Sequence, residues 1–225
     1  VVRDRQSGEP LILSNNHVLA NSNEAQVGDP ILQPGPSDGG RFPADQLAIL
    51  SRFVAIEFTV QPPDCGIAQA VADLANALAR LIGSSHRLQA YQANPEASNQ
   101  VDAALARADE PDSIQPDILE IGEIQGTSQA QLGQTVRKSG RTTGFTMGEI
   151  VVIGATLSIN YGPSKRARFV NQIVSTPMSA PGDSGSLLVA GDSPQAVGLL
   201  FAGSDQATIY NPIEAVLEQL QVELP

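Results

Sequence analysis

Short apolar runs separated by turn-forming residues make up most of the chain. Leu11–Ser14, Leu47–Ala55, Thr135–Lys138, Glu149–Ile153, Ala167–Ser175, Ser186–Ala190 and Ala196–Ala202 are such runs, in a chain punctuated by Gly, Pro, Asn and Asp. Runs of this length and spacing predict strands. The Gly-Asp, Pro-Gly-Pro and Asp-Gly-Gly steps between Gly28 and Gly40 are turn chemistry. Two stretches change period. From Gly66 to Ile82, Ile67, Val71, Leu74, Leu78 and Leu81 recur at three- and four-residue spacing, which predicts an amphipathic helix. Pro62-Pro63-Asp64 reads as its capped start and Gly83 as its stop. The polar stretch 84–100 reads as a loop. A second helix closes the chain, with Asn211 as N-cap, Pro212 at N1, Glu214 at N3, and Ile213, Val216, Leu217 and Leu220 as its buried stripe.

The resulting fold class is all-β, with an inserted helix over about 64–86 and a C-terminal helix. Regular short strands with turn signals are the mark of barrels or sandwiches. The polar, Pro-containing stretch 108–117 is a natural linker. It divides the chain into an N-terminal β domain, 1–115, and a C-terminal one, 116–225. A length of 225 residues suffices to bury a real core. The net charge of −11 argues against nucleic acid and an anionic membrane surface as partners. No apolar run approaches the ~20 residues of a membrane-spanning helix. The chain opens on Val1, which reads as a processed or trimmed start.

Candidate chemistry sits at the two ends. Ser184 lies in Ser179-Ala180-Pro181-Gly182-Asp183-Ser184-Gly185-Ser186. A serine in such a turn becomes a nucleophile only when an imidazole takes its proton; otherwise the turn is inert. Two histidines occur. His86 lies in a polar loop, whereas His17 follows the apolar run Leu11–Leu13, which can hold a ring rigidly. Asp64 and Asp102 both begin apolar stretches and are the candidate acids. Asp64 is already explained as a helix cap; Asp102 precedes Ala103-Ala104-Leu105-Ala106, a short buried strand. Asp102 is therefore preferred as the group that orients His17. With two histidines and one cysteine there is no metal-ligand cluster, and no cofactor is expected. Paired-carboxylate glycoside hydrolysis would leave the Ser and His motifs unused.

The order His17, Asp, Ser184, together with Gly-Asp-Ser-Gly, resembles a chymotrypsin-like (trypsin-like) serine protease. Lys138-Ser139-Gly140-Arg141-Thr142-Thr143-Gly144, followed by Gly148, is similar to the signature of bacterial α-lytic and streptogrisin-type members. With Ser14-Asn15-Asn16-His17-Val18-Leu19-Ala20, it resembles a disulfide-free bacterial group that is similar also to the plant narrow-leaf proteins. Asn15-Asn16 departs from the Ala-Ala of digestive members.

This resemblance implies two six-stranded β-barrels and a serine endopeptidase acting through an acyl-enzyme on a protein or peptide substrate. It implies His17, Asp102 and Ser184 as the triad, the Asp102-to-Ser139 spacing being close to that of bacterial members. The amides of Gly182 and Ser184 become the oxyanion donors. Asp183, beside the nucleophile, is expected to be buried and so to need a partner. The resemblance gives it Arg141, and hence an enzyme active without N-terminal cleavage. Met178, Ala202 and Gly203 correspond to the substrate pocket, whose apolar, open character implies medium or large apolar residues before the scissile bond. Two other classes compete: a protease-fold binding or scaffold module with little hydrolysis, and a self-processing or partner-activated domain of a larger protein. Cys65 is the sole cysteine, which points towards the cytoplasm, while export stays open because some exported bacterial proteases also have few cysteines.

Overall fold

Fourteen strands and three α-helices form the regular structure of residues 1–225 in a computed structural model. The strands are β1 (Val2–Asp4), β2 (Pro10–Ser14), β3 (Pro30–Leu32), β4 (Gln46–Phe53), β5 (Phe58–Gln61), β6 (Gln92–Ala93) and β7 (Ala104–Ala108). They continue as β8 (Thr135–Gly140), β9 (Gly144–Asn160), β10 (Arg166–Ser175), β11 (Leu187–Ala190), β12 (Ala196–Gly203), β13 (Thr208–Pro212) and β14 (Val222–Glu223). The helices are α1 (Asn16–Leu19), α2 (Gly66–Leu81) and α3 (Ile213–Leu220). The fold is mostly β, with two antiparallel sheets, one inserted helix and one C-terminal helix.

Two compact units divide the chain. The first holds Val1–Ile56, Gln100–Leu157 and Phe169–Pro225; the second holds Glu57–Asn99 and Ser158–Arg168. Within the first, six strands run in the order β14-β1-β2-β7-β4-β3. The other sheet has eight strands rather than the expected six, in the order β13-β12-β11-β8-β9-β10-β5-β6, and β13 also pairs with β10 through Ile173–Tyr210 and Val174–Ile209. Its ring of pairings therefore returns to its start. The segment 109–134, around the expected linker, contains no strand.

One core unites these elements. Val2, Leu11 and Leu105 meet Val189, Ala196 and Leu199, and α3 adds Ile213, Val216, Leu217 and Leu220. The stripe read for α3 is thus the face it buries. Its cap differs: Pro212 stands at N-cap, and the Asn211 side chain is used elsewhere. A second cluster, including Val136, Ile150, Leu188, Val197, Leu200 and Tyr210, fills the other sheet.

The second unit contains α2. Cys65 occupies its N-cap with no side-chain hydrogen bond, so Asp64 is not the cap. Gly83, at φ +73°, ends it with its amide on the Arg80 carbonyl. In this unit β5 pairs with β6 and with the first residues of β10.

Candidate active site

His17 follows strand β2 directly, on the single turn α1, rather than at the end of the strand itself. Asp102 lies two residues before β7, which is hydrogen-bonded to β2 through Leu13–Leu105 and Ser14–Ala104. Adjacent strands therefore deliver the imidazole and the carboxylate to one end of the sheet. Nδ1 of His17 is 2.7 Å from Oδ2 of Asp102, and the His17 amide donates to Oδ1 at 3.1 Å. The carboxylate is fully buried. A carboxylate oxygen can only accept, so this contact suits a ring that carries its proton on Nδ1. Of the two candidate acids, Asp102 is the one in contact with His17.

Ser184 sits in the turn between Ala180 and Ser186. Gly185, at φ +88°, lies so close to Ser14 that a Cβ there would collide with the Ser14 Oγ. The serine turn is thus seated against the residue three before His17. Amides in this turn divide into two sets. Asp183 N–H donates to the Ala180 carbonyl at 3.1 Å, Gly185 N–H to Leu200 at 2.9 Å, and Ser186 N–H to Asp183 at 3.0 Å. The Gly182 and Ser184 amides donate to no backbone carbonyl. Gly182 has φ +100°, and a Cβ would meet Thr142 Oγ1 at 2.5 Å. Glycine is required there on both counts.

Asp183 is fully buried, and its partner differs from the expected one. Lys138 Nζ lies 3.3 Å from Oδ2, and both side chains are inaccessible. The amides of Thr142 and Thr143 donate to Oδ1 at 2.7 and 3.1 Å; Thr143 Oγ1 and the Ala180 amide donate to Oδ2 at 2.7 and 3.0 Å. Arg141 instead bonds Asp38 at 2.7 Å, with its side chain 62% exposed. The reason is register. Lys138 lies within β8, opposite Thr146 of β9, and points inward, whereas Arg141 occupies the hairpin tip and points to solvent. Burial alone would raise the Asp183 carboxyl. The Ala180 amide, the Thr143 hydroxyl and the Thr142 and Thr143 amides outweigh it and hold the group well below the usual carboxylate range. Gly140 permits this wrapping, because a Cβ there would lie 2.5 Å from Asp183 Oδ1.

A cavity of about 370 Å³ opens beside Ser184, lined by Ala180, Pro181, Leu200, Ala202 and Gly203, with Ser204 and Asp205 at its exposed rim. Ala202 and Gly203 are among its lining residues. Met178 does not line it: the side chain is buried in the second core cluster with Ile150, Leu188 and Val197, and its sulfur packs over Gly148.

The chain was compared with known proteins. No protein-family model matches it. It is 41% identical over 83 residues to Serine protease 2 of Streptomyces fradiae, covering 36% of this chain and 44% of the relative. It is 36% identical over 112 residues to Streptogrisin-D of Streptomyces griseus, covering 46% of this chain and 27% of the relative. The chain therefore spans less than half the length of these curated relatives. The solved Nocardiopsis protease superposes with a TM-score of 0.59 over 99% of this chain and 88% of that one, at 18% identity, and so shows the fold. Over part of its length the chain is similar to Streptomyces serine proteases.

Three further polar residues hold the backbone around His17 and Asp102, and the sequence reading missed all three. Asn211, fully buried, accepts the Asp102 amide on Oδ1 at 2.9 Å and donates from Nδ2 to Gln172 at 2.7 Å. Asn15 donates to the Asp102 carbonyl at 2.8 Å, so the backbone of the acid is gripped from both sides. Asn16 bonds the Val54 carbonyl and Asn23, fixing the turn that carries His17. The Asn15-Asn16 departure from Ala-Ala was the available signal.

Proposed function

We propose that the chain is a serine endopeptidase. His17 accepts the proton of the Ser184 hydroxyl as Oγ attacks a peptide carbonyl, then delivers that proton to the leaving amine. Asp102 keeps the ring in the Nδ1–H tautomer and stabilises the imidazolium. The Gly182 and Ser184 amides receive the oxyanion. Water, activated by His17, hydrolyses the acyl-enzyme, and no cofactor enters. The observation that carries this reading is the 2.7 Å contact between His17 and the fully buried Asp102, on the strand pair beside the serine turn. The return of β13 to β10 supports reading β8 to β13 of the second sheet as a closed six-stranded barrel, and the six strands of the first sheet as its counterpart.

The 370 Å³ cavity supports a medium or large apolar residue before the scissile bond, since Ala180, Pro181, Leu200 and Ala202 form its walls. Asp205 at the rim disfavours acidic residues by repulsion. Peptide substrates varied at that single position test the reading. Leu, Met and Phe peptides are expected to be cleaved faster than Arg, Lys, Asp or Glu peptides, and Ser184→Ala is expected to cleave none. Equal turnover by Ser184→Ala, or faster cleavage after Arg or Lys, overturns the corresponding part.

A further inference from the structure

Helix α2 is built the wrong way round for a surface helix. Its large apolar residues face outward: Ile67 is 75% exposed, Val71 62%, Leu74 64%, Leu78 55% and Leu81 83%. The side that meets the rest of its own unit is made of small residues and one amide. Ala72 is buried, and Asn76 exchanges two hydrogen bonds with the Leu88 backbone, at 2.8 and 2.7 Å. A helix held by its alanine side leaves its strongest hydrophobic stripe without a partner inside its own unit.

We propose that a second copy of this chain covers the stripe, through a helix pair formed by α2 and its counterpart. The spacing decides the kind of partner. Ile67, Val71, Leu74, Leu78 and Leu81 follow one another by four, three, four and three residues, the 3.5-residue seam by which two helices pack along their length. An irregular patch or a sheet edge would not demand this repeat. Positions flanking the seam are Ala68, Ala70, Ala75 and Ala77, small enough for close approach and without charge. The helix carries only Asp73 and Arg80, so it is neutral even though the chain has a net charge of −11. Two copies of α2 therefore do not repel, and each offers the other the same uncharged seam, as a two-fold interface requires.

Area argues in the same direction. Burial of a large aliphatic side chain removes roughly 60–120 Å² of apolar surface, so the five residues amount to roughly 300–600 Å² per copy. That reaches the largest patch a typical monomer leaves in water, about 300–600 Å². Doubled, and with the flanking alanines, it approaches the ~1,200 Å² at which specific interfaces begin. Two heptads are too few for an isolated coiled coil, but α2 is already folded on its unit and its ordering cost is met.

Sedimentation equilibrium of the full chain tests this, with Leu74→Glu and Leu78→Glu as variants. Both positions are exposed, so folding, checked by circular dichroism, is expected to persist. The wild type is expected to be a dimer at 10–100 µM and each variant a monomer, a shift of at least tenfold in the dissociation constant. A Leu74→Cys, Cys65→Ser chain is expected to form a disulfide-linked dimer on mild oxidation, because Leu74 is the central seam residue. A wild type that stays monomeric at these concentrations overturns the proposal, whether the stripe then serves a different protein or a lipid surface. So does a dimer that both glutamate variants leave intact.

Discussion

Lys138→Met removes the cation beside Asp183 while keeping the length and apolar stem of the side chain. Loss of one member of a buried ion pair costs about 3–5 kcal/mol when the remaining charge is stranded. Asp183 is not stranded. Four other donors remain, at 2.7 to 3.1 Å, each closer than the 3.3 Å of Lys138. The expected loss is therefore smaller, about 2–3 kcal/mol. For a chain of this size 1 kcal/mol moves the melting temperature by roughly 2–4 °C, so Lys138→Met is expected to melt about 4–12 °C lower. Arg141→Ala breaks a pair whose side chains are 62% and 40% exposed, worth at most about 1 kcal/mol and no more than about 4 °C. Acid unfolding supplies a second readout. The Asp183 carboxyl is held below its ordinary value in the folded chain, so its contribution is complete above about pH 4–5 and disappears as pH falls through the lowered value. Lys138→Met takes a positive charge from beside the carboxylate, which is expected to raise that value and move the acid midpoint to higher pH. Circular dichroism melts of the two variants, at pH 7 and across pH 2–6, make the comparison. Equal melting points, or a larger loss in Arg141→Ala, refute the assignment of Lys138 as the partner of Asp183.

Two further substitutions probe the site. Gly182→Ala introduces a side chain at φ +100°, 2.5 Å from Thr142 Oγ1; it is expected to cost about 1–3 kcal/mol and to lower kcat about 10²–10³-fold by displacing an oxyanion amide, with KM little changed. Steady-state kinetics with urea unfolding separate the two effects, and an unaltered kcat would remove Gly182 from the oxyanion site. Asn211→Ala removes the side-chain acceptor of the buried Asp102 amide and the side-chain donor to Gln172 Oε1. Stability is expected to fall by roughly 2–4 kcal/mol and kcat to fall with it; a variant as stable and as active as the wild type would show that Asn211 does not position the acid.

The sequence made some of this legible and concealed the rest for identifiable reasons. Strands that bury both faces, such as β12 and the apolar half of β10, stand out as continuous runs. Strands β1, β5, β6 and β13 do not, because they are short and mix polar with apolar residues, and the single run Glu149–Ile153 is only the middle of the much longer β9. The period of α2 announces an apolar face but not what covers it, and the structure leaves that face in water. His17 and Asp102 could be paired from their neighbours, since each adjoins a run that becomes one of two paired strands. The partner of Asp183 could not. Lys138 and Arg141 occur in one motif, and only the hairpin register, Lys138 opposite Thr146 with Arg141 at the tip, decides which cation turns inward. Asn211 was read as a cap because Asn-Pro before a helix is the usual N-terminal signal, whereas burial against Gln172 and the Asp102 amide gives it a different use.

The central claim is that Ser184 is a nucleophile activated by His17. Labelling with a fluorophosphonate, followed by peptide mass spectrometry, reads it directly. A single adduct on Ser184 that is lost in His17→Ala is the predicted result. An adduct on another residue, an adduct that persists at equal rate in His17→Ala, or no adduct on the folded wild-type chain contradicts it.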